Sequence, residues 1–97
     1  MNEIQITLGI AYYNQGFFNI RAAHNHLIGN HDEEITVILG NNAAINGHIN
    51  AQFNNNQTKS IQIGVQYTQF VQQHFNQGDV MTVQIHGLHA ITIPFPQ

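Results

Sequence analysis

The chain has 97 residues, a formal net charge of −3 at pH 7 and no cysteine. This length suits one domain over residues 1–97, able to bury roughly two-thirds of its unfolded surface. The lack of cysteine excludes a disulfide scaffold and thiolate metal sites and fits a reducing compartment, so a cytoplasmic location is expected. The longest apolar runs fall far short of the roughly 20 residues that cross a bilayer, so no membrane association is expected.

The polar residues are mostly amides. Asn and Gln total 25, whereas Lys and Arg total 2 and Asp and Glu total 5. So few cations argue against a domain that holds nucleic acid mainly through phosphate contacts, because that affinity comes from Lys and Arg displacing counterions. The seven histidines soften this argument, since an unperturbed pKa of about 6.5 adds positive charge in mildly acidic solution.

The first third of the chain predicts two strands and a short helix. Residues 4–8 alternate apolar and polar side chains, which is typical of a strand. Residues 12–16 predict an exposed turn, and residues 17–20 predict a second strand. The apolar spacing over 22–28 favours a helix of two turns at most, ending at Gly29, a residue common at the C′ position.

The middle of the chain predicts extended segments and turns. These extended segments are 35–39, 43–45 and 48–53. The first is β-branched and largely unbroken, which favours a central strand covered on both faces. The other two flank Asn46-Gly47, the strongest two-residue hairpin signal in the chain. Residues 54–57 are all amides and predict a loop tip.

The last third predicts a longer helix between strands. Residues 61–63 are extended, and residues 66–75 form the better helix, with Phe70 and Val71 on its apolar side. A Gly78-Asp79 turn then precedes strands over 80–85 and 90–93. Asp79 is expected to be a turn or capping residue rather than an acid catalyst.

Two stretches, about 18–38 and 61–83, resemble copies of one unit: strand, short helix, tight acidic turn, strand. A unit this small cannot bury its own apolar face, so two copies are expected to close around one core. The predicted fold is mainly β, a seven-stranded pseudobarrel with two short helices and an approximate two-fold, because closure removes exposed sheet edges. Its expected core includes Ile20, Val37, Ile63, Phe70, Val71 and Val83.

One segment carries a family resemblance. It consists of Tyr67-Thr68-Gln69-Phe70-Val71, then Phe75, Gly78-Asp79-Val80 and Thr82-Val83. This pattern resembles the C-terminal half of the DNA-binding pseudobarrel family, in which a short helix with a Phe-Val pair precedes a Gly-Asp turn and a strand. The family includes a class of plant transcription-factor domains and the recognition domains of some type II restriction endonucleases. The similarity spans roughly residues 3–93.

The resemblance implies a module that grips the major groove of double-stranded DNA with two arms. By position, the first arm is Tyr12, Tyr13, Asn14 and Gln15, with Arg21 just beyond, and the second is Asn54, Asn55, Asn56, Gln57, Thr58 and Lys59. Both arms are rich in amides, which can pair bidentately with adenine. The family's arms normally carry several Arg and Lys, whereas this chain has only Arg21 and Lys59.

The composition also suits functions other than DNA binding. A carbohydrate-binding, lectin-like domain and a protein-interaction domain both suit a cysteine-free β domain rich in amides and aromatics. The histidines at 24, 26 and 31 lack the spacing of a compact zinc motif and are expected to be surface or capping residues, with no metal or cofactor. No activated nucleophile, phosphate-cradling loop or paired carboxylates are visible, so an enzyme is not expected. The oligomeric state is left open.

Overall fold

The computed structural model describes residues 1–52 and 57–96. These contain seven strands: β1 (Asn2–Thr7), β2 (Phe17–Ile20), β3 (Glu34–Leu39), β4 (Ile45–Asn50), β5 (Lys59–Gln62), β6 (Val80–Gly87) and β7 (Ala90–Ile93). They also contain three helices: α1 (Ile10–Asn14), the 3-10 helix η1 (Ala22–Leu27) and α2 (Val65–His74). None of these helices has the length and apolar character that crossing a membrane requires.

The strands form one sheet in the order β1-β6-β7-β3-β4-β5-β2, curled into a nearly closed barrel. Neighbours are antiparallel except β3 and β7, which are parallel. The prediction of a mainly β, seven-stranded, barrel-like fold is confirmed. The strand-helix-strand order occurs twice, as β2-η1-β3 and β5-α2-β6.

The strand pairing follows an approximate two-fold. The two-fold relates β1 to β4, β6 to β3 and β2 to β5. The β1–β6 pair thus corresponds to the β4–β3 pair, β2 and β5 pair with each other, and β7 lies between β3 and β6. Leu8 exchanges two backbone hydrogen bonds with the turn at 78–79, and Ile49 exchanges two with the turn at 32–33. One pairing breaks the symmetry: β4 pairs with β5, but β1 does not pair with β2. The barrel is therefore open between β1 and β2.

Helix α1 was not predicted, because its residues suggest only a turn. Asn14 Nδ2 donates to the Ile10 carbonyl at 2.8 Å, which closes a single helical turn. From α2, Gln72 Nε2 donates to the Tyr13 carbonyl at 3.0 Å. This carbonyl lies at the end of the helix, where intrahelical partners are lacking. The tertiary contact with α2 therefore stabilises a helix too short to form alone.

The predicted hairpin at Asn46-Gly47 is wrong, because both residues lie within the continuous strand β4. Gly47 is buried opposite Ile35, and a Cβ there would lie 3.2 Å from Ile35 Cγ2 and 3.3 Å from the Gln62 carbonyl oxygen. The glycine thus serves close packing inside the sheet. The β3–β4 turn instead uses Gly40, whose φ of 64° lies in the left-handed region.

The core lies inside the barrel and beneath α2. Five of the six predicted core residues are buried, namely Ile20, Val37, Phe70, Val71 and Val83. Ile63 is only partly buried, because it follows the end of β5 at the rim and packs against the core from there. Burying a Val, Ile or Phe side chain contributes about 1.5–3 kcal/mol, so this cluster dominates the stability of the fold.

Candidate functional site

The outward side of β2, β5 and β4 forms a largely hydrophilic surface, here called the polar face. It comprises Phe17, Asn19, His48, Asn50, Ser60 and Gln62. These residues alternate along their strands with buried neighbours such as Phe18, Ile49 and Ile61. The register places Asn19, Ser60 and Asn50 in one row across the three strands. Phe17, Gln62 and His48 form the adjacent row.

The two arms expected from the resemblance start at opposite ends of the β2–β5 ladder. Phe17 pairs with Gln62 at one end, and Ile20 pairs with Lys59 at the other. The β1–β2 connection containing α1 enters at the Phe17 end, and the β4–β5 connection enters at the Lys59 end. A ladder of this length spans about 13 Å, at 3.2–3.4 Å per residue. The polar face therefore lies between the two connections.

In the first arm, both tyrosines are used for packing. Tyr12 contacts Phe17 edge to face, with ring centroids 5.6 Å apart. Tyr13 donates its hydroxyl to the Phe75 carbonyl at 3.0 Å. Both rings are partly buried against the core. They therefore hold α1 to the barrel instead of projecting into solvent.

The amides of the first arm differ in their surroundings. Asn14 donates to the Ile10 carbonyl and accepts a hydrogen bond from Gln72 Nε2 at 3.1 Å, so both ends of its amide have partners. Gln15 is exposed and lies beside Gly16, whose carbonyl accepts backbone hydrogen bonds from Ile63 and Gly64. Both side chains are thus exposed, and hydrogen bonds within the fold hold the Asn14 amide in place.

The two cations also have different surroundings. The Lys59 ammonium donates to the carbonyls of Ile28 and Gly29, at 2.9 and 2.8 Å, and is partly buried. It stabilises the chain after η1, where carbonyls lack helical partners. Arg21 is exposed and precedes η1, at the end of β2. Arg21 is thus the cation placed to meet a ligand on the polar face.

The second arm is partly described. Asn54, Asn55 and Asn56 lie outside the described residues. Gln57 has a φ of 63°, and its carbonyl accepts a hydrogen bond from Asn25 Nδ2 at 2.9 Å. Thr58 lines a cleft together with Arg21. The end of this arm thus lies next to η1 and the end of β2.

The histidines are dispersed over the surface. His48 Nε2 lies 3.3 Å from an Asp32 carboxylate oxygen, and His89 Nε2 lies 2.8 Å from Glu33 Oε1. The hydrogen bond from His89 and the backbone N–H of Asn30 hold the pKa of Glu33 below its usual value. Within residues 1–52 and 57–96, no three His, Cys, Asp or Glu side chains come together in a way that could hold a metal ion.

The opening between β1 and β2, here called the seam, forms a cleft of about 420 Å3. It is lined by Ile4, Gln5, Ile6 and Thr7 of β1, by Asn19 and Arg21, and by Tyr12, His24 and Thr58. Ile4 and Ile6 are nearly buried and apolar, whereas Arg21 and His24 are exposed. The cleft therefore combines an apolar floor with a polar, partly cationic rim.

A second depression, here called the trough, covers the outer side of β1 and β6 with about 560 Å3. Polar residues paired across the two strands line it: Thr82 donates to Gln5 Oε1 at 3.0 Å, and Gln84 Nε2 donates to Glu3 at 3.4 Å. Phe95 forms part of its wall and is 39% exposed. Its ring contacts Phe70, with centroids 5.7 Å apart, and is therefore held in place.

The polar face was missed by sequence reasoning. Its signal is the alternation within 17–20, 45–50 and 59–62, where every second residue is buried or half-buried on the inner side of the sheet. The alternation becomes informative only when the pairing of β2 with β5 and of β5 with β4 is known. Searches with protein-family models and against curated proteins found no match to this chain.

Proposed function

We propose that the protein is a cytoplasmic, non-enzymatic module that binds double-stranded DNA, with the polar face in the major groove. The observation that carries this proposal is the position of the polar face between two connections about 13 Å apart. The major groove of B-DNA is about 12 Å wide and admits a two-stranded β-ribbon. The resemblance to the DNA-binding pseudobarrel family, seen in the segment 67–83, supports the same reading.

The chemistry of the polar face suits the edges of bases. Asn19, Asn50 and Gln62 present amides, each able to donate and accept, and Ser60 adds a hydroxyl. Asn and Gln can pair bidentately with adenine N6 and N7, and a good pair of this kind discriminates by about 1–3 kcal/mol. The face therefore offers direct readout from a rigid sheet.

The charged residues around the polar face favour one position for the phosphate backbone of a bound duplex. Asp32 and Glu34 flank His48 beyond β4, and their carboxylates would repel phosphates. Arg21 lies at the opposite side, beyond β2, together with His24 on the seam. The phosphate backbone is therefore expected to run over the β2 side. Because Lys59 is bound to backbone carbonyls, Arg21 is the remaining one of the two cations, and the salt dependence should correspond to about one phosphate at neutral pH.

A gel-shift titration with a random-sequence duplex pool tests the proposal, at roughly 50 mM salt, where phosphate contacts are strong. Runs at pH near 7.5 and near 6 compare neutral with protonated histidines, and binding should tighten at the lower pH. Gln62→Ala should alter the selected base sequence. Gln84→Ala is the matched control, since it removes an outward strand amide from the other side of the barrel. No retained duplex at micromolar protein in either condition would overturn the proposal.

A saccharide-binding role is the second candidate, and the trough favours it. Paired amide, hydroxyl and carboxylate groups lie beside the braced ring of Phe95, a combination that suits sugar hydroxyls and an apolar sugar face. A glycan-array screen of the wild type and Phe95→Ala separates this candidate from DNA binding. Retention of neutral glycans by the wild type alone, without retention of duplex DNA, would assign the function to the trough.

A further inference from the structure

The seam marks the place where the symmetry of the barrel predicts a ladder between two strands that do not pair with each other. Under the approximate two-fold, the β4–β5 ladder corresponds to a ladder between β1 and β2. That ladder is missing because the chain turns away after Leu8 into α1, whose Tyr12 packs on Phe17. The edges of β1 and β2 thus face a common cleft and do not pair with each other.

Strand alternation shows which backbone N–H and C=O groups point toward the seam. Successive residues of an antiparallel strand direct their N–H and C=O groups to opposite sides. Leu8 exchanges both of its groups with the turn before β6, so Gln5 and the Thr7 N–H are directed toward the seam. The Gly16 carbonyl accepts from Ile63 beside β5, so Asn19 is directed toward the seam. Donors and acceptors therefore line both sides of the cleft.

We infer that the seam binds an extended acidic peptide, which adds a strand to the edge of β1. Main-chain hydrogen bonds to a sheet edge supply affinity, and pockets for alternate side chains supply specificity. The floor at Ile4 and Ile6 takes the apolar residues of the peptide. Its acidic residues meet Arg21 and His24 at the rim, where the described lining residues include no carboxylate. This interaction does not rest on the DNA proposal, although both use Arg21 and His24.

The test uses the full chain labelled with ¹⁵N and two acetylated, amidated pentapeptides, Val-Glu-Val-Glu-Val and Val-Lys-Val-Lys-Val. Amide spectra are recorded up to about 1 mM peptide, a range that detects weak binding. The acidic peptide should shift the amides of Gln5, Thr7 and Asn19, and the basic peptide should not. Shifts elsewhere, no shifts with the acidic peptide, or equal shifts with both peptides would overturn the inference.

Two variants at one position separate strand addition from side-chain contact. Gln5→Pro removes the N–H directed at the seam while leaving the β6 side of the ladder paired, and proline is tolerated on such edges. Gln5→Ala removes only the side chain, whose amide faces Thr82. Binding of the acidic peptide should weaken about 10-fold in Gln5→Pro and stay within about twofold in Gln5→Ala. If Gln5→Pro does not fold, the Arg21→Met variant is titrated with the acidic peptide instead. Unchanged affinity of Arg21→Met for this peptide would contradict the inference that the seam prefers acidic peptides.

Discussion

Glu33 and Asp79 make the same pair of hydrogen bonds at equivalent places in the two halves of the barrel. Each carboxylate accepts from the backbone N–H three residues earlier, Asn30 at 2.6 Å and Asn76 at 2.8 Å. Each backbone N–H donates back to the carbonyl of that same asparagine, at 3.2 and 3.0 Å. The residue before each acid has a positive φ, 72° at Asp32 and 95° at Gly78. The repeat thus extends to the atoms of its turns.

The turn at Glu33 should make the free energy of unfolding fall as the solution becomes acidic. Its pKa is lowered by the hydrogen bond from His89 first and by the Asn30 N–H second. A lowered folded-state pKa gives a contribution that is present above the usual value of 4.5 and lost as pH falls through the folded value. Urea unfolding of the wild type from pH 6 to pH 3 should therefore show a loss of stability at the acid end, here called the acid limb. Glu33→Gln should flatten this acid limb. Glu34→Gln removes an exposed neighbouring carboxylate and should leave the limb in place.

Two tyrosines should respond in opposite ways to loss of their hydroxyl. Tyr67 is buried, and its hydroxyl has no hydrogen-bond partner in the described part of the chain. Burial, followed by the nearby Tyr12, raises the pKa of Tyr67. An unsatisfied buried group costs about 1–3 kcal/mol, so Tyr67→Phe should leave stability unchanged or increase it. Tyr13→Phe loses the bond to the Phe75 carbonyl and should cost about 1 kcal/mol.

Equilibrium urea unfolding of both tyrosine variants checks this contrast. The two substitutions remove the same atom, so differences in side-chain size do not enter. Destabilisation of Tyr67→Phe by as much as Tyr13→Phe would show that the Tyr67 hydroxyl has a partner after all.

Substitution of Lys59 should affect mainly stability, whereas substitution of Arg21 should affect mainly duplex binding. Lys59→Met keeps the aliphatic stem but loses two charge-assisted bonds to the Ile28 and Gly29 carbonyls, and it should cost about 2 kcal/mol. Arg21→Met changes an exposed side chain and should stay within about 0.5 kcal/mol of the wild type. Duplex binding should fall in Arg21→Met, while Lys59→Met, measured where it remains folded, should change it little. Thermal unfolding and gel shift on the same samples provide both readouts.

The Phe70 ring should be among the most costly to truncate. It is 3% exposed, and its centroid lies 6.2 Å from that of Phe75 and 5.7 Å from that of Phe95. Phe70→Ala should cost about 3–5 kcal/mol, through lost transfer energy and a residual cavity. Phe95→Ala removes the same number of atoms from a partly exposed site and should cost about 1 kcal/mol. Equal costs for the two variants would contradict the assigned burial.

The sequence was sufficient for the fold where local pattern and tertiary context agree. Alternation predicted β1, preceding turns predicted β2 and β6, and helical spacing predicted α2 to within one residue at each end. The context overrode local preference at Gly47, where a turn-forming dipeptide serves close packing between strands. It did so again at α1, which depends on Gln72 from a distant helix.

The candidate site was less accessible to sequence reasoning. The role of Lys59 depends on two carbonyls about 30 residues earlier in the chain, and no local pattern reports them. The polar face and the seam likewise follow from the strand order, in which β2 pairs with β5 and, among the described residues, no strand pairs with the second edge of β1. Such non-local pairings are decided by the packing of the whole core.

Strand β7 is the last strand in chain order, yet it lies in the middle of the sheet, between β6 and β3. Without it, the remaining strands divide into the pair β1-β6 and the group β3-β4-β5-β2, joined only through the chain and side-chain packing. The barrel can therefore become continuous only after Ala90–Ile93 inserts with Val37 opposite Ile91. Such late, long-range closure is typical of slowly folding β topologies.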